Sequence, residues 1–384
     1  MQIYFDHAAS SFPKAPGVAE AMGRYLNQVG ANVNRGSYES ASAASFEVLK
    51  LRESLCQLFN FSSPEHAVIC PGNTFSINQV LKGYLRPGDH VLTTAMEHNA
   101  LARPLEQLSA QGIAYTCVPC DHEGLMDPED LRRAIRPNTR LVALQHASNV
   151  SGGLMLVAEI GLICQQAGIP LMLDAAQSAG HIPVDFEALH LSALCVPGHK
   201  GLLGPQGIGA LLVRQDFALQ LSPLIAGGTG SQSASLNMPA TYPDCLEAGT
   251  PNLPGIYGLT AALEWLLSQD MAALHQQEMA LCAQFMDGVK ALPGIRILGP
   301  QTLKNRVAVV SLDFPEQDNA AIAWRLEEEG QLCLRCGLHC APLAHQTLGS
   351  FPQGAVRFSF SHSNTKEQVD SALCVLRRVM GISS

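Results

Sequence analysis

Charge is scarce in this sequence of 384 residues. Asp, Glu, Lys and Arg make up 15% of it and hydrophobic residues 47%, whereas an average soluble domain is about 25% charged. A chain so apolar can bury a large core, which excludes intrinsic disorder. Basic residues are the scarcer sign: 24 Lys and Arg stand against 33 Asp and Glu, a net charge of −9. That balance argues against a nucleic-acid binder working through a basic face. No apolar run reaches the roughly 18 residues of a membrane span. The opening Met1-Gln-Ile-Tyr-Phe-Asp6 lacks the basic and apolar regions of a signal peptide, so a cytoplasmic protein is expected. Cysteine is too sparse for a disulfide scaffold, at 12 residues in 384, and a reducing compartment would keep these as thiols. Most are expected to be small buried hydrophobes.

From Phe59 to about Arg214, short apolar runs alternate with helical stretches. His66–Cys70, His90–Thr93, Leu141–Gln145, Leu171–Asp174, Ala193–Val196 and Gly209–Val213 read as buried strands. Helices are expected at Asn78–Tyr84, Pro128–Ile135 and Ala158–Ala167. Such alternation predicts an α/β fold with a mostly parallel sheet covered on both faces. Past Gly255 the pattern turns helical, with one long helix expected from about Leu259 to Leu292, ending at Pro293-Gly294. A strand at Val307–Ser311, a helix at Asn319–Glu329, strands at Cys333–Arg335 and Ala355–Ser361 and a helix at Lys366–Met380 complete the pattern. The expected division is a large domain of residues 15–290 and a small α+β domain of residues 1–14 and 291–384.

The chemistry concentrates where strands end. Ala193–Val196 runs into Pro197-Gly198-His199-Lys200 and a glycine-rich stretch. Ligands of doubly wound sheets sit at the carboxyl ends of strands, where glycines admit a bulky group. A loop lysine is usually only a solvated charge, but one here suits Schiff-base chemistry. Asp174 closes an apolar strand, which is costly unless it meets a cation; a helix N-cap is the plainer explanation. The protonated pyridine nitrogen of pyridoxal phosphate (PLP) would be such a cation. Cys70-Pro-Gly-Asn73-Thr74 opens a helix, and helix N–H groups with a hydroxyl suit a phosphate, although any capped helix start looks alike. His98 follows a further strand and offers a flat ring. All four features follow strands of one sheet and so converge on one edge.

With these residues in view, the chain resembles class V, fold-type I PLP enzymes, and within them the compact, Suf-type cysteine desulfurases, whose relatives include selenocysteine lyases. The matching segments run nearly end to end: Tyr4-Phe-Asp-His-Ala-Ala-Ser10, Val33-Asn-Arg-Gly36, Gly72-Asn-Thr74, Met96-Glu-His98, His146-Ala-Ser-Asn-Val150, Asp174-Ala-Ala-Gln177, Gly198-His-Lys200, Glu247-Ala-Gly-Thr-Pro-Asn252, Arg335-Cys-Gly-Leu-His-Cys-Ala341 and Val356-Arg357. The resemblance implies a mostly parallel seven-stranded sheet and a homodimer with shared sites. It implies PLP held covalently by Lys200, Asp174 on its ring nitrogen, Gln177 on its phenolic oxygen and His98 stacked over the ring. Asn73, Thr74 and His199 would hold the phosphate, with Thr250 reaching in from a second subunit. Asn149 and Arg357 would bind the substrate carboxylate, and Arg335 and Asn34 would line the entrance.

Cys340 stands where that family carries its persulfide-forming nucleophile. Neighbouring His339 and Arg335 are expected to favour its thiolate, and only 17 residues separate it from Arg357, which implies an ordered loop. The implied reaction converts L-cysteine to L-alanine, with Lys200 removing the α-proton, His98 relaying the thiol proton and Cys340 holding the sulfur for an acceptor protein or small thiol. L-selenocysteine cleavage by the same residues, another class V reaction such as transamination or epimerisation, and a non-catalytic scaffold are the alternatives. A metal site at Cys333, Cys336 and Cys340 is a further reading, and Cys117 and Cys120 read as a loop pair. Pro197, Cys336 and Asn34 depart from the family pattern, in which serine, threonine and histidine are usual.

Overall fold

The computed structural model describes residues 2–33 and 36–382. Thirteen strands form three sheets among the described residues. In chain order they are β1 (Ile3–Tyr4), β2 (Ala67–Cys70), β3 (His90–Thr94), β4 (Ala114–Val118), β5 (Thr139–Gln145), β6 (Leu171–Asp174), β7 (Ala193–Pro197), β8 (Gly209–Val213), β9 (Arg296–Leu298), β10 (Val309–Asp313), β11 (Leu332–Cys333), β12 (Arg335–Gly337) and β13 (Ala355–Ser359).

The seven-stranded sheet has the order β2-β8-β7-β6-β5-β3-β4. Every pairing is parallel except those of β8, which runs antiparallel to both β2 and β7. Its inner strands read as unbroken apolar runs because both faces are covered. Alternate residues serve two cores: Leu171, Leu173, Leu194 and Val196 pack on one face, and Met172, Ala193 and Cys195 on the other. The strand expectations hold to within two residues. The edge strand β4 was not anticipated, and it takes Cys117 out of the expected loop. The helices Glu39–Phe59 and Asn99–Ser109 were also not anticipated, the latter carrying Pro104 in its interior.

The second sheet is antiparallel, in the order β12-β13-β10-β9. Its core is aromatic, with Phe5, Phe285, Phe358 and Phe360 in ring contact. The expected single helix from Leu259 to Leu292 is two helices, Leu253–Leu267 and Met271–Lys290. Asp270 breaks the run, because its carboxylate accepts the N–H groups of Ala272 and Ala273 and so starts a new helix. The expected strand at Cys333–Arg335 is likewise split. Cys333 lies in β11, paired with β1, whereas Cys336 lies in β12 beside β13. The two thiols thus belong to different sheets.

Candidate active site

The carboxyl ends of the parallel strands surround a cavity of about 540 Å³ lined by Asn73, Thr74, His98, Asn149, Asp174, Gln177, His199 and Lys200. The helix after β2 begins at Asn73, five residues earlier than periodicity suggests. Its first turn therefore includes Asn73 and Thr74. It has no side-chain cap, and the Phe75 and Ser76 N–H groups donate to the Gly72 carbonyl, which leaves the first two N–H groups for an anion. Gly72, at φ 152°, supplies the entry turn at which a side chain would be strained.

Asp174 ends β6 with 3% exposure. One carboxylate oxygen accepts from Asn73 Nδ2 at 2.7 Å and from the Ala176 N–H at 2.9 Å. The Ala176 bond belongs to a turn, not a helix, so the N-cap alternative does not apply. The Asn73 amide is spent on Asp174, which leaves the helix N–H groups and Thr74 for an anion. Burial pushes the Lys200 amine down to about 8, against a raising contribution from Asp174.

His98 caps the helix Asn99–Ser109, its Nδ1 accepting the Ala100 N–H at 3.0 Å. Burial, reinforced by the charge of Lys200, lowers the ring to about 4. A neutral ring with Nδ1 occupied carries its proton on Nε2. His98 thus offers a donor rather than a ready base. Burial likewise lowers His199 to about 4. Gln177 Nε2 donates to the Ala8 carbonyl at 2.9 Å. Three buried polar atoms on the cavity residues, Asn73 Oδ1, Asn149 Oδ1 and His199 Nδ1, lack partners among the described residues. Such atoms are costly unless a ligand or water meets them.

Arg357, from β13, is 2% exposed. Its guanidinium donates to the Asn149 carbonyl at 3.1 Å and to Asp6 at 2.9 Å. The other Asp6 oxygen lies 3.0 Å from Arg335, so one carboxylate bridges both arginines. Asn149 Nδ2 donates to the His339 carbonyl at 2.8 Å, and the Asn99 N–H donates to the Cys340 carbonyl at 2.7 Å. The cysteine loop is therefore tied to cavity residues. Cys340 itself is exposed.

The expectation that His339 activates Cys340 by charge does not survive. Burial holds His339 well below the ordinary imidazole value, so the ring is neutral. Thr250 is exposed and lines a neighbouring cavity of about 460 Å³. Asn34 lies outside the described residues. No group of three or more His, Cys, Asp or Glu side chains that could hold a metal occurs among the described residues. Asp6 and Glu97 were not anticipated. Glu97, beside His98, is fully buried, accepts from Thr94 and from the Gln145 N–H, and is pushed up to about 8 by burial. Its sequence signal was its place in the matching segment Met96-Glu-His98, just past an apolar strand.

The class-V aminotransferase family model matches residues 3–372. The chain belongs to that family. Its curated relatives include a probable cysteine desulfurase of Methanothermobacter thermautotrophicus, 32% identical over 99% of this chain and 95% of the relative. Another is the cysteine desulfurase CsdA of Escherichia coli, 32% identical over 98% of this chain and 94% of the relative. Among solved structures, the apo cysteine desulfurase of Thermococcus onnurineus superposes with a TM-score of 0.93 at 32% identity, covering 99% of this chain and 95% of that one. An S-sulfonic acid form of E. coli CsdA superposes with a TM-score of 0.89 at 30% identity, with the same coverage. The family-level resemblance and the fold read from the sequence are thus borne out.

Proposed function

We propose that this class-V family member is a PLP-dependent cysteine desulfurase that converts L-cysteine to L-alanine and holds the sulfur on Cys340. One observation carries the reading: Lys200, Asp174 and His98 line one cavity, and the Cys340 loop is bonded to Asn99 and Asn149 beside it. The unpartnered polar atoms, the uncapped helix start and the buried carboxylate fit PLP. Lys200 would hold it covalently, Asp174 would face its ring nitrogen, Gln177 its phenolic oxygen, and Thr74, His199 and the first N–H groups of Asn73–Tyr84 its phosphate. When bound, the cofactor supplies an electron sink for the substrate α-carbon.

The remaining work falls to side chains of this chain. Lys200, whose amine burial lowers to about 8, removes the α-proton in its neutral form. Arg357 and Asn149 take the substrate carboxylate in a two-point grip. Cys340 thiolate attacks the substrate sulfur; the S–S bond forms as the C–S bond breaks, and its electron pair passes to the substrate β-carbon, which is then protonated. His98 offers its Nε2–H as a hydrogen-bond donor beside the reacting atoms, consistent with its cap bond, and the Lys200 ammonium formed by α-proton removal supplies the proton to the β-carbon. L-cysteine plus the Cys340 thiol thus yields L-alanine plus a Cys340 persulfide, to be passed to an acceptor. Among the described residues no helix is long and apolar enough to cross a membrane. The reading extends to a cytoplasmic homodimer whose second copy supplies Thr250, and to the division into residues 15–290 and residues 1–14 with 291–384.

The test incubates purified protein with L-cysteine and, separately, L-selenocysteine, measuring alanine, sulfide or selenide, and the mass of alkylated Cys340. Alanine with a persulfide adduct on Cys340 is expected, and both should disappear in Cys340→Ser with L-cysteine. Unchanged cysteine turnover in that variant defeats the persulfide role, and alanine from selenocysteine alone makes the protein a selenocysteine lyase. A Lys200→Ala protein keeping the absorption of covalently bound cofactor overturns the cofactor assignment.

A further inference from the structure

Cys340 sits in a backbone corner that L-residues rarely adopt. His339 and Cys340 have φ of 49° and 54°, two consecutive left-handed residues, neither of them glycine. Each Cβ is then crowded by the carbonyl that follows, so such a corner persists only where its surroundings impose it. Three hydrogen bonds secure its backbone: Asn149 Nδ2 to the His339 carbonyl, the Asn99 N–H to the Cys340 carbonyl, and the Ala341 N–H to the Leu338 carbonyl.

A further set of contacts, which the desulfurase chemistry does not use, secures the His339 side chain. His339 Nε2 lies 3.3 Å from the Arg335 carbonyl, and its Nδ1 lies 3.4 Å from His345 Nε2. His345 Nδ1 lies 2.7 Å from Ser350 Oγ. His345 is fully buried, and Ser350 and His339 nearly so. The two rings are within 25° of parallel.

The direction of these bonds follows from elementary donor counting. A carbonyl only accepts, so His339 Nε2 carries the ring proton. The neutral ring then has a bare Nδ1, and His345 Nε2 must donate to it. His345 Nδ1 is left bare and accepts from the Ser350 hydroxyl. One pair of tautomers satisfies all four ring nitrogens. An extra proton on His339 Nδ1 would set two N–H groups face to face unless the rest of the chain reversed.

We propose that His345, backed by Ser350, is a positioning residue for Cys340. The Ser350–His345–His339 series is a neutral hydrogen-bonded strut that fixes the His339 ring, and through it the left-handed corner that presents the thiol. Its role in sulfur transfer rests on the reading of Cys340 as sulfur acceptor, whereas the tautomer pattern does not.

The test has two parts, both on the full-length holoprotein. Nitrogen-15 NMR of labelled histidine at pH 7.5 is expected to find His339 and His345 neutral with the proton on Nε2; a doubly protonated ring or an Nδ1–H tautomer at either position overturns the strut. Single-turnover reactions with L-cysteine then compare His345→Phe, which keeps bulk without a donor, with His345→Gln, whose amide can donate to His339 Nδ1. His345→Phe should slow persulfide appearance on Cys340 by about tenfold or more while leaving the cofactor absorbance change on substrate binding within about twofold, and His345→Gln should stay within about threefold of the parent. Wild-type rates in His345→Phe, or equal losses in both variants, overturn the proposal. Should His345→Phe fail to fold, Ser350→Ala decides, a slowed transfer supporting the strut and an unchanged one overturning it. If Cys340→Ser still makes alanine from L-cysteine, the persulfide role of Cys340 fails while the tautomers still judge the strut.

Discussion

Glu278→Gln should destabilise the protein in a pH-dependent way. Glu278 lies on the helix Met271–Lys290 and is 3% exposed. Its Oε2 is 2.9 Å from His181 Nδ1, and its Oε1 accepts the His362 N–H at 3.2 Å, with His362 Nδ1 at 3.9 Å. Burial alone would raise the carboxyl, but the charge and hydrogen bond of His181, together with the lowering contribution of His362, outweigh it and carry the group from 4.5 down to about 2. Burial would lower His181, and Glu278 more than offsets it, so the imidazole ends above 6.5. His7, nearby, is held neutral at about 4 by burial. A depressed carboxyl contributes stability above its unfolded value that is lost as pH falls toward about 2. A raised imidazole contributes stability below 6.5 that is lost as pH rises through its folded value. The pair is therefore at full strength between pH 4.5 and 6.5, and the Glu278 shift corresponds to about 3 kcal/mol. Gln fills the same volume without the charge. At pH 6, thermal unfolding followed by circular dichroism should give a Tm lower by about 4 °C in Glu278→Gln, taking roughly 2.1 cal/mol/K of unfolding entropy per residue. At pH 9.5 the gap should narrow, because His181 has lost its charge and Glu278 is left as an unpaired buried anion. The same gap at both pH values would refute the ion pair as its source.

Two further outcomes follow from the cavity. Arg357→Lys cannot reproduce a fork that donates at once to Asp6 and the Asn149 carbonyl, so kcat/KM for L-cysteine should fall by about 30-fold, or about 2 kcal/mol, mostly through KM; an unchanged KM in steady-state assays would remove Arg357 from carboxylate binding. Because only a neutral amine attacks an aldehyde, covalent capture of added PLP by the apoprotein should speed up with pH and level off above about 8, the value to which burial lowers Lys200. A rate still climbing at pH 10, followed by absorbance, would mean an ordinary lysine.

What could be read without coordinates was what local pattern encodes. His90–Thr93, Leu171–Asp174 and Ala193–Val196 are short, largely apolar runs, and each run and its stop signal lie within ten residues. Their carboxyl ends therefore identified Asp174, Lys200 and His98 as neighbours on one edge, and the family motifs added Asn149 and Gln177. Asp270 illustrates the limit. It is a short polar residue between two apolar helical stretches, and whether it continues or restarts a helix depends on its carboxylate reaching two N–H groups, which periodicity does not weigh.

The features that set the electrostatics around Cys340 are nonlocal, and this explains why sequence proximity misled. His339 and Arg335 are close neighbours of Cys340 in the chain, which suggests two cations beside a thiol. In the fold, burial, reinforced by the charge of Arg357, outweighs the bond to the Arg335 carbonyl and keeps the His339 ring neutral. Arg335 faces Asp6, 329 positions away in the chain, and Arg357 shares the same carboxylate. A charge already paired with a carboxylate exerts less pull on a third group than a free one does. The positive field at the cysteine loop is therefore governed by Asp6, and substitution there should alter Cys340 reactivity more than removal of the imidazole charge that adjacency suggested.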